Sequence, residues 1–149
     1  MARLRTGEVQ RYRQNVGVVF QDNKLLDWKT VFDNIAYPLR IRGVGDSDIQ
    51  ERVEELLTYF GLTEKCDVRI PFLSGGEKQK VATARAIIHK PEFIIADEPT
   101  GNLDDQSSQQ LVDQLIRLHH DGHSLVFITH DAAIVDYISR HTTIRKIVL

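Results

Sequence analysis

The segment Leu73-Ser74-Gly75-Gly76-Glu77 sets a hydroxyl and two glycines before a run with helical patterning. Serine there can cap the helix. The glycines carry no side chain to block a ligand, and the free N–H groups with the positive helix end suit an anion such as phosphate. Taken alone, Ser-Gly-Gly reads as well, or better, as an ordinary cap followed by flexible glycines. The second feature is Phe93-Ile94-Ile95-Ala96-Asp97-Glu98-Pro99-Thr100, an apolar stretch ending in adjacent carboxylates. At the carboxyl edge of a parallel sheet, the first can hold Mg²⁺ through water. The second can orient or deprotonate a water molecule. Alone, the pair reads equally as two acids in a turn after a core strand. A third apolar run, Val126-Phe127-Ile128-Thr129, leads to His130 and Asp131. A lone histidine after a strand is ordinarily a loop residue.

These residues need elements to position them. Gln14 to Gln21 reads as a short strand around Val16-Gly17-Val18-Val19-Phe20, too apolar to have a solvated face. Thr30 can cap a helix carrying Val31, Phe32, Ile35, Ala36 and Leu39, which Pro38 should end or kink. Ser47 and Gln50 have capping-box spacing before a second helix closed by Gly61, and Ser74 and Glu77 repeat it before a third reaching about His89. Arg69-Ile70-Pro71 marks a turn between them. Glu92 to Ala96 and Ser124 to Ile128 read as buried strands, Asp105 to His120 and Asp131 to Ser139 as helices, and Thr143 to Leu149 as a last strand. The alternation predicts an α/β fold: a parallel sheet covered by helices, with a helical segment inserted.

Composition bounds the rest. The 149 residues, 42% hydrophobic and 27% charged, suffice for one domain with a core. Net charge is −2 with signs interleaved, so binding of nucleic acid through bulk charge is not suggested. No apolar run approaches the ~20 residues of a membrane-spanning helix, and the polar start is unlike a secretion signal. Cys66 is the single cysteine, which excludes an internal disulfide and points to a soluble chain of a reducing compartment. It lies in a polar turn with no base nearby to activate it. His119, His120 and His123 flank Gly122 at a helix end, where dipole and cap explain them better than a metal. Asp46, Asp48, Glu51, Glu54 and Glu55 read as a solvated helix face.

In combination and order, these segments resemble the nucleotide-binding subunit of ABC-type ATPases, with a P-loop NTPase-like (RecA-like) core that is here partial. The resemblance implies ATP and Mg²⁺ as cofactors. It makes Gln21 the Q-loop glutamine, Leu73–Glu77 the signature motif and Phe93–Asp97 the Walker B strand. Glu98 becomes the catalytic glutamate, Gly101-Asn102-Leu103-Asp104 the D-loop and His130 the switch histidine. Ser74, Gly75, Gly76, Glu77 and Asp104 would face nucleotide across a head-to-tail homodimer, and Asp97 and Gln21 would serve the metal. Residues 14–21 and 91–149 would form the α/β core and 22–90 the helical subdomain of one partial domain. The runs "NVGVVFQDNKLL" and "TVFDNIAYPLRIRG", Asp22 and Glu77 resemble the cell-division (FtsE) type within a branch that includes lipoprotein-release and macrolide-export ATPases. That likeness implies a cytoplasmic protein on the inner face of the membrane. An integral partner resembling FtsX would dock around residues 22–45, near Leu25, Leu26, Trp28 and Phe32, although ordinary packing explains any one of these as well. Lys80 departs from the arginine usual in the family. It keeps the charge without the forked donors.

None of the nine glycines begins the family's phosphate loop, GxxxxGK[ST]. The family places that loop upstream of Gln21, and its strand inside the sheet beside the strand leading to His130. The chain is therefore expected to be an N-terminally truncated member that binds Mg-ATP weakly or not at all and tends to associate. The other readings are a subunit of an exporter and a non-catalytic module that presents its docking surface to an intact subunit.

Overall fold

A computed structural model describes residues 15–143 and Arg145. The strand expected at Thr143–Leu149 falls almost wholly outside these residues, as do the polar first dozen. Strands β1 (Val16–Val19), β2 (Phe93–Asp97) and β3 (Ser124–Ile128) form a parallel sheet in the order β1-β2-β3. Val16 pairs with Phe93 and Val19 with Ala96, while Phe93 pairs with Ser124 and Asp97 with Ile128. Among the described residues, no helix is long and apolar enough to cross a membrane.

Helix α1 (Val31–Ile41) starts where Thr30 Oγ1 accepts the Asp33 N–H at 3.1 Å. Pro38 lies inside the helix and does not end it, one of the two outcomes expected of it. Proline removes one N–H, and burial of Ile35, Ala36 and Leu39 holds the turns on either side. Helix α2 (Asp46–Phe60) closes at Gly61, whose φ of 66° is the left-handed cap glycine supplies. Its start departs from the expected capping box. The N-cap is Gly45 with no side-chain bond, and Asp46 and Asp48 complement the dipole in the first turn instead. Two short 3₁₀ turns follow, Thr63–Lys65 and Ile70–Phe72, and Arg69 bridges back to Thr30.

Helix α3 (Gly75–Ile87) packs on β1, α1 and α2, ending two residues before His89. Helix α4 (Asp105–His120) joins β2 to β3, and α5 (Ala132–His141) packs against α4. One apolar cluster runs from Val19, Ile35 and Phe60 through Val81 and Ile94 to Leu115, with a satellite of Val112, Ile116 and Ile138. Not every strand is as buried as its sequence suggests. Val16 and Val18 of β1 are only half-buried, and along β3 half-buried and exposed residues alternate. Val126 is 48% and Ile128 46% exposed: with Ser124 they share the outer face of β3, while Leu125 and Phe127 turn toward the apolar clusters.

Candidate functional site

The parallel register brings three chain reversals to one end of the sheet. Val19 lies beside Ala96 and Asp97 beside Ile128, so Gln21, Asp97-Glu98 and Thr129-His130 all leave the carboxyl edge together. The Glu98 N–H extends the ladder to Ile128 O at 2.9 Å, after which the backbone turns at φ +44°. That turn directs the carboxylate onto the neighbouring strand end. Glu98 Oε1 accepts the His130 backbone N–H at 2.9 Å and lies 2.7 Å from its ring Nδ1. Glu98 Oε2 accepts the Thr129 hydroxyl at 3.2 Å. Thr129 Oγ1 in turn accepts the Asp131 N–H, and Asp131 caps α5.

The bond to Glu98 is the main reason the His130 imidazole titrates above its ordinary 6.5, since a carboxylate favours the charged ring. The ring is otherwise exposed, and its Nε2 makes no bond among the described residues. A base anchored in this way, beside an outward-facing nitrogen, suits a water molecule and an anion bound together.

Asp97 stands exposed at the end of β2. Gln21 is exposed too, but its neighbours fix it. Asn102 Nδ2 donates to Gln21 O at 3.2 Å, and Gly101 lies so close that a Cβ there would stand 2.9 Å from Gln21 Nε2 and push that amide aside. The carboxylate of Asp97 and the amide oxygen of Gln21 are hard donors. Among the described residues, no three of His, Cys, Asp or Glu gather as a closed site. This donor set fits Mg²⁺, which keeps water and phosphate oxygens in most positions.

The second cluster lies at the start of α3. Ser74 Oγ accepts the Glu77 N–H at 3.2 Å, and Glu77 Oε2 accepts the Ser74 N–H at 2.8 Å, the expected capping box. Lys65 Nζ stands 3.3 Å from Glu77 Oε1. Chiefly the Ser74 N–H holds the Glu77 carboxyl below its usual range. Asp104 caps α4 likewise, accepting the Ser107 N–H at 2.9 Å and its hydroxyl at 2.8 Å, which lowers its pKa. The two helix starts are neighbours: a Cβ on Gly76 would stand 3.1 Å from Ser107 Oγ, and one on Gly75 3.5 Å from Asn102 O. The turn 101–104 therefore touches both Gln21 and the signature segment.

Several positioning residues escape the sequence. Thr129 and Asn102 have no signal beyond adjacency to named residues. Asn34, wholly buried, bonds to Leu26 and Thr30, and Arg85 reaches back to residues 23 and 24. Of the apolar group near residue 28, Leu25 and Phe32 pack against the core, whereas Trp28 is 70% exposed. Burial raises the Cys66 thiol above its ordinary value, as an unactivated cysteine requires. His119 Nδ1 and His123 Nδ1 lie close to the backbone carbonyls of His123 and Pro91.

The sequence profile of the ABC transporter family matches residues 1–101. The "Cell division ATP-binding protein FtsE" of Streptococcus pneumoniae serotype 2 (strain D39) is 42% identical over 144 residues, 97% of this chain and 62% of its own length. The protein of the same name from Mycobacterium tuberculosis H37Rv is 44% identical over 134 residues, 90% of this chain and 58% of its own. The chain thus spans only 58–62% of the length of these curated relatives. Among solved structures, cbiO1 from Clostridium perfringens, part of the ABC transporter complex cbiONQ, superposes with a TM-score of 0.83 at 27% identity. That match covers 90% of this chain and 54% of cbiO1.

Proposed function

The chain belongs to the ABC transporter family, and from that premise we propose that it is the larger part of an FtsE-like subunit that binds and hydrolyses ATP and drives an integral membrane partner in cell division. The observation that carries this is the Glu98 carboxylate, held by Thr129 and His130 at the sheet edge that Asp97 and Gln21 share. Residues 14–21 and 91–149 act as the α/β core and 22–90 as the helical subdomain.

In this reading Glu98 accepts a proton from the attacking water, and His130 fixes its orientation while offering Nε2 to the γ-phosphate. Asp97, through water, and Gln21 would hold Mg²⁺, which when bound would supply charge neutralisation on the phosphates. Ser74, Gly75 and Gly76 of one copy present a hydroxyl and N–H groups to the γ-phosphate bound by the other in a head-to-tail homodimer. Glu77 keeps that helix start capped, and Asp104 stands at the same interface. An FtsX-like membrane partner docks on the segment 22–45, where Trp28, Tyr37 and Ile41 offer exposed apolar surface. The sequence has no GxxxxGK[ST] loop to cradle the phosphates, so the 149-residue chain alone binds Mg-ATP weakly. A second reading, a module that lends its signature segment to an intact subunit, is favoured by the exposure of Ser74 and Gly75.

Sedimentation tests both readings. The chain alone should show no Mg-ATP binding at concentrations that saturate intact pneumococcal FtsE. Mixed with that protein, it should form a complex only with ATP present, and Ser74→Arg should abolish it. A large thermal shift of the isolated chain with Mg-ATP would contradict the weak binding. Absence of any ATP-dependent complex would overturn the family mechanism for this chain.

A further inference from the structure

The segment from Phe20 to Thr30, which carries Gln21, crosses between the sheet edge and α1 with little regular structure of its own. Its backbone is left-handed at both Asn23 and Lys24, with φ of 58° and 46°. Asparagine visits that region readily, but a lysine there is uncommon and is held by its surroundings. Local bonds close the turn, from the Asn23 N–H to Phe20 O at 3.1 Å and the Lys24 N–H to Asp22 O at 2.6 Å, and Lys24 pairs with Asp22. The long-range holding group is Arg85 on α3, 61 and 62 residues away: its Nη1 donates to Lys24 O and Nη2 to Asn23 O, both at 2.8 Å. One turn and a half earlier on α3, the buried Gln79 directs Nε2 at Phe20 O, 3.4 Å away. The far end of the segment is secured separately by Asn34 of α1. Its Oδ1 accepts the Leu26 N–H at 2.8 Å, and its Nδ2 donates to Leu26 O and Thr30 O.

Arg85 is half-buried, and none of the ion pairs among the described residues includes it. A guanidinium without a carboxylate is a poor choice where packing alone is needed, because its desolvation opposes folding. Its planar fork, however, matches two carbonyls turned the same way, which a point charge cannot do. Left-handed backbone at 23 and 24 is what turns those carbonyls toward α3.

We propose that Arg85 is a positioning residue: from the helix that begins with the signature segment, it locks the turn at Asn23-Lys24 and thereby fixes where Gln21 stands. The importance of Gln21 rests on the function proposed above; the lock itself does not. Through α3, the place of Ser74–Gly76 and the place of Gln21 are set by one rigid element. A shift of that helix start is thus transmitted to the sheet edge without passing through Glu98.

Amide hydrogen exchange on the nucleotide-free chain, together with the anisotropy of Trp28, the single tryptophan, tests this directly. Arg85→Lys keeps the charge and the stem but can serve only one carbonyl at a time. It should speed exchange of the Asn23 and Lys24 amides by about tenfold, with Val19 and Ile94 amides unchanged. Trp28, which lies between the Leu26 and Thr30 bonds of Asn34, should keep its anisotropy. Arg85→Met should enlarge the effect on exchange, and if it fails to fold, the lysine variant decides. Exchange at 23 and 24 unchanged from wild type, or raised equally in the core, would overturn the lock. No nucleotide is present, so this outcome is independent of whether the chain joins an ATP-bound dimer.

Discussion

The two edges of the sheet are built to different tolerances. On the β1 side, α3 lies so close that a Cβ on Gly17 would stand 2.3 Å from Ala86 O and 3.1 Å from Pro91 Cγ. On the β3 side, Val126 and Ile128 stay half in solvent, and α5 touches the rest through a satellite cluster. Gln21 and Ser74 belong to the tight side; His130 and its share of the Glu98 carboxylate belong to the open one. The lesson is that the helix start at Ser74, though exposed itself, leads directly into the buried α3, whereas the His130 arm hangs from a strand that stays half in solvent. Damage to the first should appear as unfolding, and damage to the second as altered site geometry or association.

Gly17→Ala should have the largest effect. Backbone stands where the methyl must go, so β1 and α3 have to separate, at a cost of about 3 kcal/mol in denaturant unfolding. A matched pair sharpens the contrast. Ile94→Ala in the buried centre of β2 should cost about 3 kcal/mol, and Ile128→Ala on β3 less than about 1 kcal/mol. If the exposed edge drives association of the chain, Ile128→Lys should lower its apparent mass in light scattering at unchanged stability. Equal losses for the two isoleucines would show that β3 is more deeply covered than its exposure indicates. Ser74→Ala removes one half of a capping box and should cost about 1 kcal/mol, read in the same unfolding experiment.

The smallest effects are those of pH, and they have opposite signs on the two sides. The Glu77 pKa is lowered, so its contribution is present above the ordinary 4.5 and fades as pH falls through the depressed value. The His130 pKa is raised, so its bond to Glu98 contributes fully below 6.5 and is lost as pH rises through the elevated value. Acid should therefore loosen the start of α3, and mild alkali the His130 arm. Ring-proton NMR should place the His130 midpoint above 6.5, and Glu98→Gln should return it toward 6.5. A midpoint unmoved by that substitution would mean that the pair does not exist in solution.

Much of the fold was legible because it rests on local chemistry. The bounds of α4 and β3, the Thr30 and Ser74 caps and the Gly61 stop all follow from residue type and period. The parallel α/β order also followed, from alternation of strand and helix. Misreadings arose where tertiary packing outweighed a local rule. Gly45 takes the cap that Ser47 was expected to hold. Apolar composition in β3 suggested a buried strand, but burial depends on what lies alongside, which composition does not encode. The candidate site divides in the same way. Ser74, Asp97, Glu98 and His130 stood out by type and position, whereas Thr129, Asn102 and Arg85 act through bonds to residues 31, 81 and 61 or 62 positions away.

Among the described residues, strand β1 pairs with β2 alone, and Val16 meets Phe93 across the whole of α1, α2 and α3. Closing so long a loop is slow, whereas β2, α4 and β3 form a contiguous unit that can assemble early. During synthesis, the apolar stretch Val16–Val19 waits for a partner strand translated seconds later, and the β3 end that carries His130 is translated later still. Any delay in completing α3 prolongs the interval in which that stretch can pair with something else.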